Sequence, residues 1–225
     1  MHSHHYVQLG ISESPAFKLK GHGWKEPRNL SSFLIPPDVS HKLWLSGDDD
    51  VLMIWLDPER STVLSIGDSD TIYSPLEDLE TKLISFCNTP LDCGQAKKIR
   101  DMIVGGVQEK SEGDERILET IFWIKEHLVE QTITAEDLAG KVYLSKSRFM
   151  HLFSDQVGIP VRKYILWQRL KHALVMLSDG SNITESAHGA GFTDSPHMNR
   201  TFNAMFGITP SKIFKNSRFI QVFAC

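Results

Sequence analysis

The spacing of apolar positions changes along the chain and separates a strand-rich part from helical parts. Up to about residue 67, short apolar runs alternate with turn residues; the run Val51–Leu56 lies between Gly47-Asp48-Asp49-Asp50 and Asp57-Pro58. Runs of this kind predict short β-strands. Between residues 76 and 107 the spacing becomes helical on both sides of Thr89-Pro90. Two apolar stripes result, one formed by Leu76, Leu79, Leu83 and Ile84, the other by Ile99, Met102, Ile103 and Val107.

A polar stretch with several glycines follows the second stripe. It contains Gly105-Gly106 and Lys110-Ser111-Glu112-Gly113, which is typical of a hinge. We therefore predict two domains, residues 1–110 and residues 114–218.

The chain after this hinge predicts seven helices. An apolar stripe defines the first of them, and Thr134 and Ser145 are expected to cap helices 135–141 and 146–157. Asp137 stands where it can complete a capping box with Thr134. Pro160 opens a long helix to about residue 177. Three short helices are expected after it, at residues 184–190, 196–206 and 210–215.

Part of this helical region repeats. Residues 134–159 align with residues 183–208 at a constant offset of 49 positions, which pairs Ser145 with Asp194 as helix caps and Tyr143 with Phe192 as packing positions. The identical pairs are Glu136 and Glu185, Gly140 and Gly189, Phe153 and Phe202, Gly158 and Gly207, and Ile159 and Ile208. Each copy predicts a helix, a short turn and a second helix.

The second helix of each copy has an outward face that the helical period defines. Phe149, Met198 and Phe202 are expected to point inward. The outward positions are Ser147, Met150, His151 and Ser154 in the first copy, and Pro196, Asn199, Arg200 and Asn203 in the second. Neither face carries an acidic side chain, and Asn and Arg can bind adenine and guanine edges, so both faces suit contact with DNA.

The distance between the two copies agrees with this interpretation. A straight helix over residues 160–177 is about 27 Å long. Successive major-groove faces on one side of DNA lie about 34 Å apart. The two outward faces could therefore contact one DNA molecule one helical turn apart.

Charge changes the picture only when it is divided along the chain. The net charge is −4 overall, but residues 141–218 contain 11 basic and 4 acidic residues, a net of +7. Neutralising DNA phosphates requires a positive stretch of this size. A helical surface that is basic by chance would have the same composition, so charge alone does not decide between the two.

Composition and targeting signals limit the location of the protein. Hydrophobic residues form 41% of the chain, as in an ordinary globular protein, and no apolar run is long enough to span a membrane. Cys87, Cys93 and Cys225 show neither a metal-ligand spacing nor a disulfide pattern. We therefore expect a cytoplasmic protein with no membrane partner.

The helical half resembles the AraC/XylS family of bacterial regulators over residues 114–216. The segments that support the resemblance are Leu144-Ser145-Lys146-Ser147-Arg148-Phe149-Met150-His151-Leu152-Phe153, Gly158-Ile159-Pro160, Gly191-Phe192-Thr193-Asp194-Ser195, Phe202 and Phe206-Gly207-Ile208-Thr209-Pro210-Ser211.

The resemblance implies a seven-helix domain with two helix-turn-helix units whose recognition helices enter adjacent major grooves. It implies contacts with bases for Ser147, Met150 and His151, and for Ser195, Pro196, Asn199 and Arg200. Lys146 and Arg148 are further DNA-binding candidates, and Lys212, in the first turn of the last helix, is a candidate for phosphate binding. Double-stranded DNA is thus the expected partner, and the resemblance allows RNA polymerase, a small-molecule effector and a second copy of the chain as others.

Two features depart from the common pattern of this family. Met150 stands where a polar side chain often binds a base, which favours apolar contact with thymine methyl groups. His188-Gly189-Ala190-Gly191 replaces larger or charged residues, which predicts a looser second helix-turn-helix unit.

The strand-rich half resembles a cupin at Ile35-Pro36-Pro37-Asp38-Val39-Ser40-His41, where Asp38 replaces the usual glycine. The predicted fold class is thus α+β: a small N-terminal cupin-like β-barrel with a helical hairpin, then the all-α domain. His2, His4, His5 and His41 are candidate metal ligands. The sequence favours a solvated N-terminus or an expression remnant, with a structural His41, because no carboxylate has a cupin-like spacing; no cofactor is expected.

The function predicted from the sequence is sequence-specific DNA binding by a transcriptional regulator, not enzymatic activity. A small ligand, or dimerisation through the two apolar stripes, would modulate it, although both stripes could instead pack on the barrel. Two alternatives are a cupin metalloenzyme with a helical appendage and a helical adaptor for another protein. Only DNA binding should weaken steeply with added salt.

Overall fold

The computed structural model of the chain describes residues 1–4, 6–45, 51–56, 72–74, 76–86, 92–104, 113–129, 132–207 and 209–211. The chain divides into two compact units. We call them the N-terminal unit, Met1–Gln108 together with Ala204–Gly207 and Phe223–Cys225, and the C-terminal unit, Glu109–Asn203 together with Ile208–Val222.

The described residues of the N-terminal unit form six short strands, as the alternating apolar runs predict. They are β1 (Val7–Ser12), β2 (Phe17–Gly21), β3 (Arg28–Leu30), β4 (Ser32–Ile35), β5 (His41–Leu45) and β6 (Val51–Leu56). The described strands form two antiparallel sheets of three, in the orders β4-β1-β6 and β3-β2-β5. The predicted closed barrel is therefore not seen in the described part of the chain.

Alternate side chains of β4 enter two different cores, because successive residues of a strand point to opposite faces. Phe33 packs edge-on against Phe17 of the other sheet, with ring centroids 4.9 Å apart. Leu34 points the other way, towards the helices. Gly10 of β1 makes room for Phe33, since a Cβ at Gly10 would lie 2.4 Å from that ring.

Two helices cover the outer face of the first sheet, α1 (Glu77–Leu83) and α2 (Cys93–Val104). Leu83, Ile99 and Ile103 are buried there against side chains of β1 and β4. The described members of the two apolar stripes thus pack mainly on the sheet, which is the alternative that the sequence left open to a dimer contact. Met102 remains exposed, and Val107 lies outside the described residues. Cys93 is disulfide-bonded, although the sequence shows no disulfide pattern.

The described part of the C-terminal unit is helical. Its helices are α3 (Glu115–Glu126), α4 (Ala135–Lys141), α5 (Lys146–Val157), α6 (Val161–Ser178), α7 (Ile183–Gly189) and α8 (Ser195–Phe206), of which residues 195–203 belong to this unit. These match the first six predicted helices to within two residues at most ends. Pro210 and Ser211 are the described residues of the predicted last helix, and both are helical. Among the described helices, none has the length and apolar character needed to cross a membrane.

Candidate DNA-binding surface

Helices α4 and α5 form the first helix pair, and side-chain caps set where each begins. The Thr134 hydroxyl accepts a hydrogen bond from the backbone N–H of Asp137 at 3.1 Å. The Ser145 hydroxyl accepts one from Arg148 at 3.3 Å. Both caps satisfy N–H groups that have no partner inside the helix, as the sequence predicted.

Helices α7 and α8 form the second helix pair, with stronger caps. Asn182 and Glu185 make a reciprocal capping box at the start of α7. The Asp194 carboxylate accepts from the backbone N–H of His197 at 2.5 Å. The acidic cap also lies at the positive end of the α8 dipole, which stabilises it further.

The turn between the helices differs in length between the two pairs. Tyr143 and Gly191 adopt left-handed backbone, with φ of 54° and 78°. The next residue donates its backbone N–H to an equivalent carbonyl, Leu144 to Ala139 and Phe192 to Ala187, at 2.9 Å in both pairs. Between the left-handed residue and the cap lies one residue in the first pair, Leu144, and two in the second, Phe192 and Thr193. The constant offset of 49 is therefore wrong for α4 and α7, which correspond at 48, and right for α5 and α8.

This extra residue corrects the predicted match of Tyr143 with Phe192. Phe192 is 3% exposed and packs in the domain, whereas the Tyr143 side chain is 96% exposed. The structural counterpart of Phe192 is Leu144, which packs against the core of the first pair. Tyr143 instead corresponds to Gly191, and it projects into solvent just before α5.

The outward face of α5 agrees with the helical period. Phe149 and Phe153 are fully buried, with Tyr164 of α6 edge-on to Phe153. Ser147 and His151 are exposed, and Met150 is 42% exposed although it is apolar. Lys146 and Arg148 are exposed in the first turn of the same helix. The structure thus places all five predicted DNA-binding residues of α5 on its accessible surface.

Helix α8 is arranged in the same way. Met198 and Phe202 are buried. Pro196 and Arg200 are exposed, and Ser195 and Asn199 are half-buried. Lys212 lies outside the described residues, so its predicted phosphate contact stays a prediction.

The cations on this surface differ in their partners. Lys146 Nζ lies 2.8 Å from a carboxylate oxygen of Glu136, and both side chains are exposed. No ion pair with a described residue engages Arg200. Asp114, which caps α3, has a pKa lowered to about 2 by hydrogen bonds from Arg116, with a smaller contribution from Arg148. Its carboxylate therefore stays charged at neutral pH.

The glycine-rich end of α7 is close-packed, which corrects the prediction of a looser second pair. A Cβ at Gly189 would lie 2.4 Å from the Met176 methyl group of α6, and a Cβ at Gly191 would lie 2.9 Å from the carbonyl oxygen of Leu128. Both glycines allow close contact with neighbouring elements. The sequence contained a signal of this close packing, since a glycine within a helical pattern often marks a point where a neighbouring element comes close.

The described helices of this unit thus form two helix pairs connected by one long helix, the arrangement that the sequence predicted for a DNA-binding domain. A family model described as a helix-turn-helix domain matches residues 138–216. The arabinose operon regulatory protein of Escherichia coli K12 is 33% identical over 100 residues, 44% of this chain and 34% of that protein. The transposon Tn10 TetD protein of Escherichia coli is 32% identical over 101 residues, 44% of this chain and 72% of that protein.

The chain belongs to the AraC/XylS family of bacterial transcription regulators, as its motifs predicted. It covers only about a third of the length of the arabinose regulator. ToxT of Vibrio cholerae has a similar fold over both units, with a TM-score of 0.59 over 97% of this chain and 92% of that chain at 12% identity. An N-terminal sheet region followed by a helical domain is thus a known architecture.

Proposed function

We propose that this chain is a transcription regulator that binds double-stranded DNA through α5 and α8. The observation that supports this best is the pair of recognition faces, at whose predicted outward positions no acidic side chain stands, joined by the 18-residue helix α6. Phosphate binding would come from Lys146, Arg148 and Lys212. Base contacts would come from Ser147, Met150, His151, Ser195, Pro196, Asn199 and Arg200.

Arg200 is the strongest candidate for sequence recognition. Its guanidinium is exposed near the middle of the α8 face and has no carboxylate partner among the described residues. An arginine in this position can donate two hydrogen bonds to one guanine, which discriminates against other bases by about 1–3 kcal/mol.

The N-terminal unit is proposed to regulate this binding through a ligand, and to be a cupin-related β domain. Asp38, which replaces the usual cupin glycine, adopts the left-handed backbone that a glycine would favour, with φ of 63°. That agreement supports the resemblance.

The experiment begins with selection of bound sites from random duplex DNA by the full chain. Affinities of Arg200→Ala and Lys212→Ala for the selected site and for random DNA are then measured across a salt series. Arg200→Ala should weaken the selected site alone. Lys212→Ala should weaken both and reduce the salt slope by about one. Equal losses for Arg200→Ala on both DNAs would contradict the proposed orientation of α8, and binding insensitive to salt would favour an adaptor or an enzyme.

A further inference from the structure

Two histidines near the start of the sequence, His2 and His4, meet the distant His41 in the N-terminal unit. His2, His4 and His41 each offer a ring nitrogen, and these atoms lie within 4.8 Å of one another. The ring of His41 lies 4.2 Å from that of His2 and 4.8 Å from that of His4, measured between centroids. His4 and His41 are 2% and 0% exposed, so His4 does not belong to a solvated N-terminus. His5 lies outside the described residues.

Backbone hydrogen bonds hold the three residues in this arrangement. His2 and His41 pair as in an antiparallel sheet, each donating its N–H to the carbonyl of the other at 2.8 Å. The N–H of Asp38, in its left-handed turn, donates to the carbonyl of His4 at 2.7 Å. These bonds hold the backbones from which the three rings project close together.

The ring hydrogen bonds determine where the lone pairs lie. Nδ1 of His4 is 2.9 Å from the carbonyl of Tyr6, and Nδ1 of His41 is 2.9 Å from the carbonyl of Val39. A carbonyl only accepts, so each Nδ1 carries the proton and each Nε2 carries a lone pair. Metal-binding histidines are oriented by backbone carbonyls in this same way.

Two of these nitrogens are buried without a partner. Nε2 of His2 and Nε2 of His41 make no hydrogen bond in the described part of the chain. Buried polar atoms are nearly always hydrogen-bonded, so a pair of orphaned nitrogens beside a third indicates an absent ligand. Nε2 of His4 lies 2.8 Å from Oε1 of the buried Gln8 side chain; because an amide oxygen only accepts, a lone pair on this nitrogen requires the Gln8 amide to be turned with its NH2 group towards the ring.

The environment keeps the rings neutral, as metal binding requires. Burial lowers the pKa of His4 to about 3 and that of His2 to about 4, and it also lowers the pKa of His41. At neutral pH all three imidazoles are therefore uncharged, and each ring has one nitrogen without a proton.

We propose that His2, His4 and His41 form a binding site for a divalent transition-metal ion, with Zn²⁺ as the best match. Three neutral imidazoles without a thiolate suit Zn²⁺ and Co²⁺, and they do not suit Mg²⁺ or Ca²⁺, which need oxygen ligands. Gln8 stands beside the site, where its amide can bond His4 when no metal is bound. This inference concerns the N-terminal unit alone and is independent of DNA binding.

The test is a titration of the full chain, stripped with a chelator, with Zn²⁺ by calorimetry and with Co²⁺ by visible absorption. We expect one ion per chain and an increase in the melting temperature of the N-terminal unit with Zn²⁺. His41→Ala should weaken Zn²⁺ binding about 100-fold, because one of three ligands is lost. His22→Ala, an exposed histidine of the same unit, is the matched control and should leave it unchanged.

His41→Ala leaves the histidines at residues 2–5 in place. It therefore distinguishes Zn²⁺ binding by the folded three-histidine site from binding by the histidine-rich N-terminal segment alone. If His41→Ala binds Zn²⁺ like the unmodified chain, or if only His5→Ala abolishes binding, the proposal is overturned.

Gln8→Glu gives a test that does not depend on loss of folding. An added carboxylate beside the three imidazoles should tighten Zn²⁺ binding about tenfold, and it should lower the melting temperature without metal because an unpaired charge is buried. Unchanged or weaker Zn²⁺ affinity in a folded Gln8→Glu protein would also overturn the site.

Discussion

The first helix pair closes its turn with Tyr143 in left-handed backbone, whereas the second uses Gly191 at the equivalent point. A Cβ is accommodated at Tyr143 because its side chain projects into solvent. A Cβ at Gly191 would meet the Leu128 carbonyl. In the first pair only the left-handed backbone disfavours a side chain at this point. In the second pair the left-handed backbone and the packing against Leu128 both disfavour one.

The largest expected effect follows from this packing. Gly191→Ala should lower the free energy of unfolding by about 2–4 kcal/mol, since it adds a clash with Leu128 to a conformational cost of about 1–2 kcal/mol. Gly158→Ala is the control, with φ of 83° and nothing near the added Cβ, and it should show the conformational cost alone. Urea unfolding followed by circular dichroism measures both. Equal losses would show that the turns do not differ in packing.

The recognition faces also differ, since α5 presents the apolar Met150 where α8 presents Asn199. Replacing thymine by uracil removes one methyl group from the DNA, and the loss of contact with Met150 should cost about 0.8 kcal/mol at one position of the selected site. Met150→Ala should make the protein insensitive to that replacement. Affinity measurements on the four combinations test the contact. An unchanged effect of uracil in Met150→Ala would place Met150 away from the bases.

A smaller effect is expected at the first turn. Tyr143→Gly should raise the free energy of unfolding by about 0.5 kcal/mol, because relief of left-handed strain exceeds the entropy that glycine loses on folding. The same urea series measures it. A loss of stability would show that the Tyr143 ring makes contacts that its exposure does not suggest.

The smallest effect concerns the ion pair of Lys146 with Glu136. Exposed pairs contribute about 0–1 kcal/mol, so Glu136→Gln should leave stability nearly unchanged. It should raise affinity for DNA by about twofold, because Lys146 becomes free for a phosphate. Glu126→Gln, an exposed acidic residue of α3, is the control for charge alone. Equal gains in both variants would mean that Lys146 contacts no phosphate.

The sequence predicted the helices of the C-terminal unit well because each has a local signal. Thr134, Ser145 and Pro160 mark helix starts, and the apolar period of α5 correctly separated Phe149 from Met150. The sequence could not align the turn of the first helix pair with the turn of the second, because no such local signal marks the extra residue. An offset of 49 gives chance identities such as Gly140 with Gly189, and only hydrogen bonds such as Phe192 to Ala187 reveal the extra residue.

The histidine cluster shows the opposite limit. The sequence contained all the ligands, but their proximity depends on the pairing of His2 with His41 and on the backbone of Asp38. Such long-range pairing leaves no periodic trace. The prediction of the sheets was limited in the same way. The apolar runs predicted strands such as β1, but they did not predict that β1 lies between β4 and β6.

Helix α6 has a consequence for the DNA that the proposed regulator would accept. A flexible tether would allow the second recognition helix to search many positions, at a low effective concentration over each. An ordered helix of 18 residues instead holds α8 at one distance and one rotational phase from α5. One inserted base pair shifts a half-site by about 34° around the DNA axis. The regulator would gain affinity at one spacing and lose tolerance for all others, so its binding sites would vary in base sequence much more than in length.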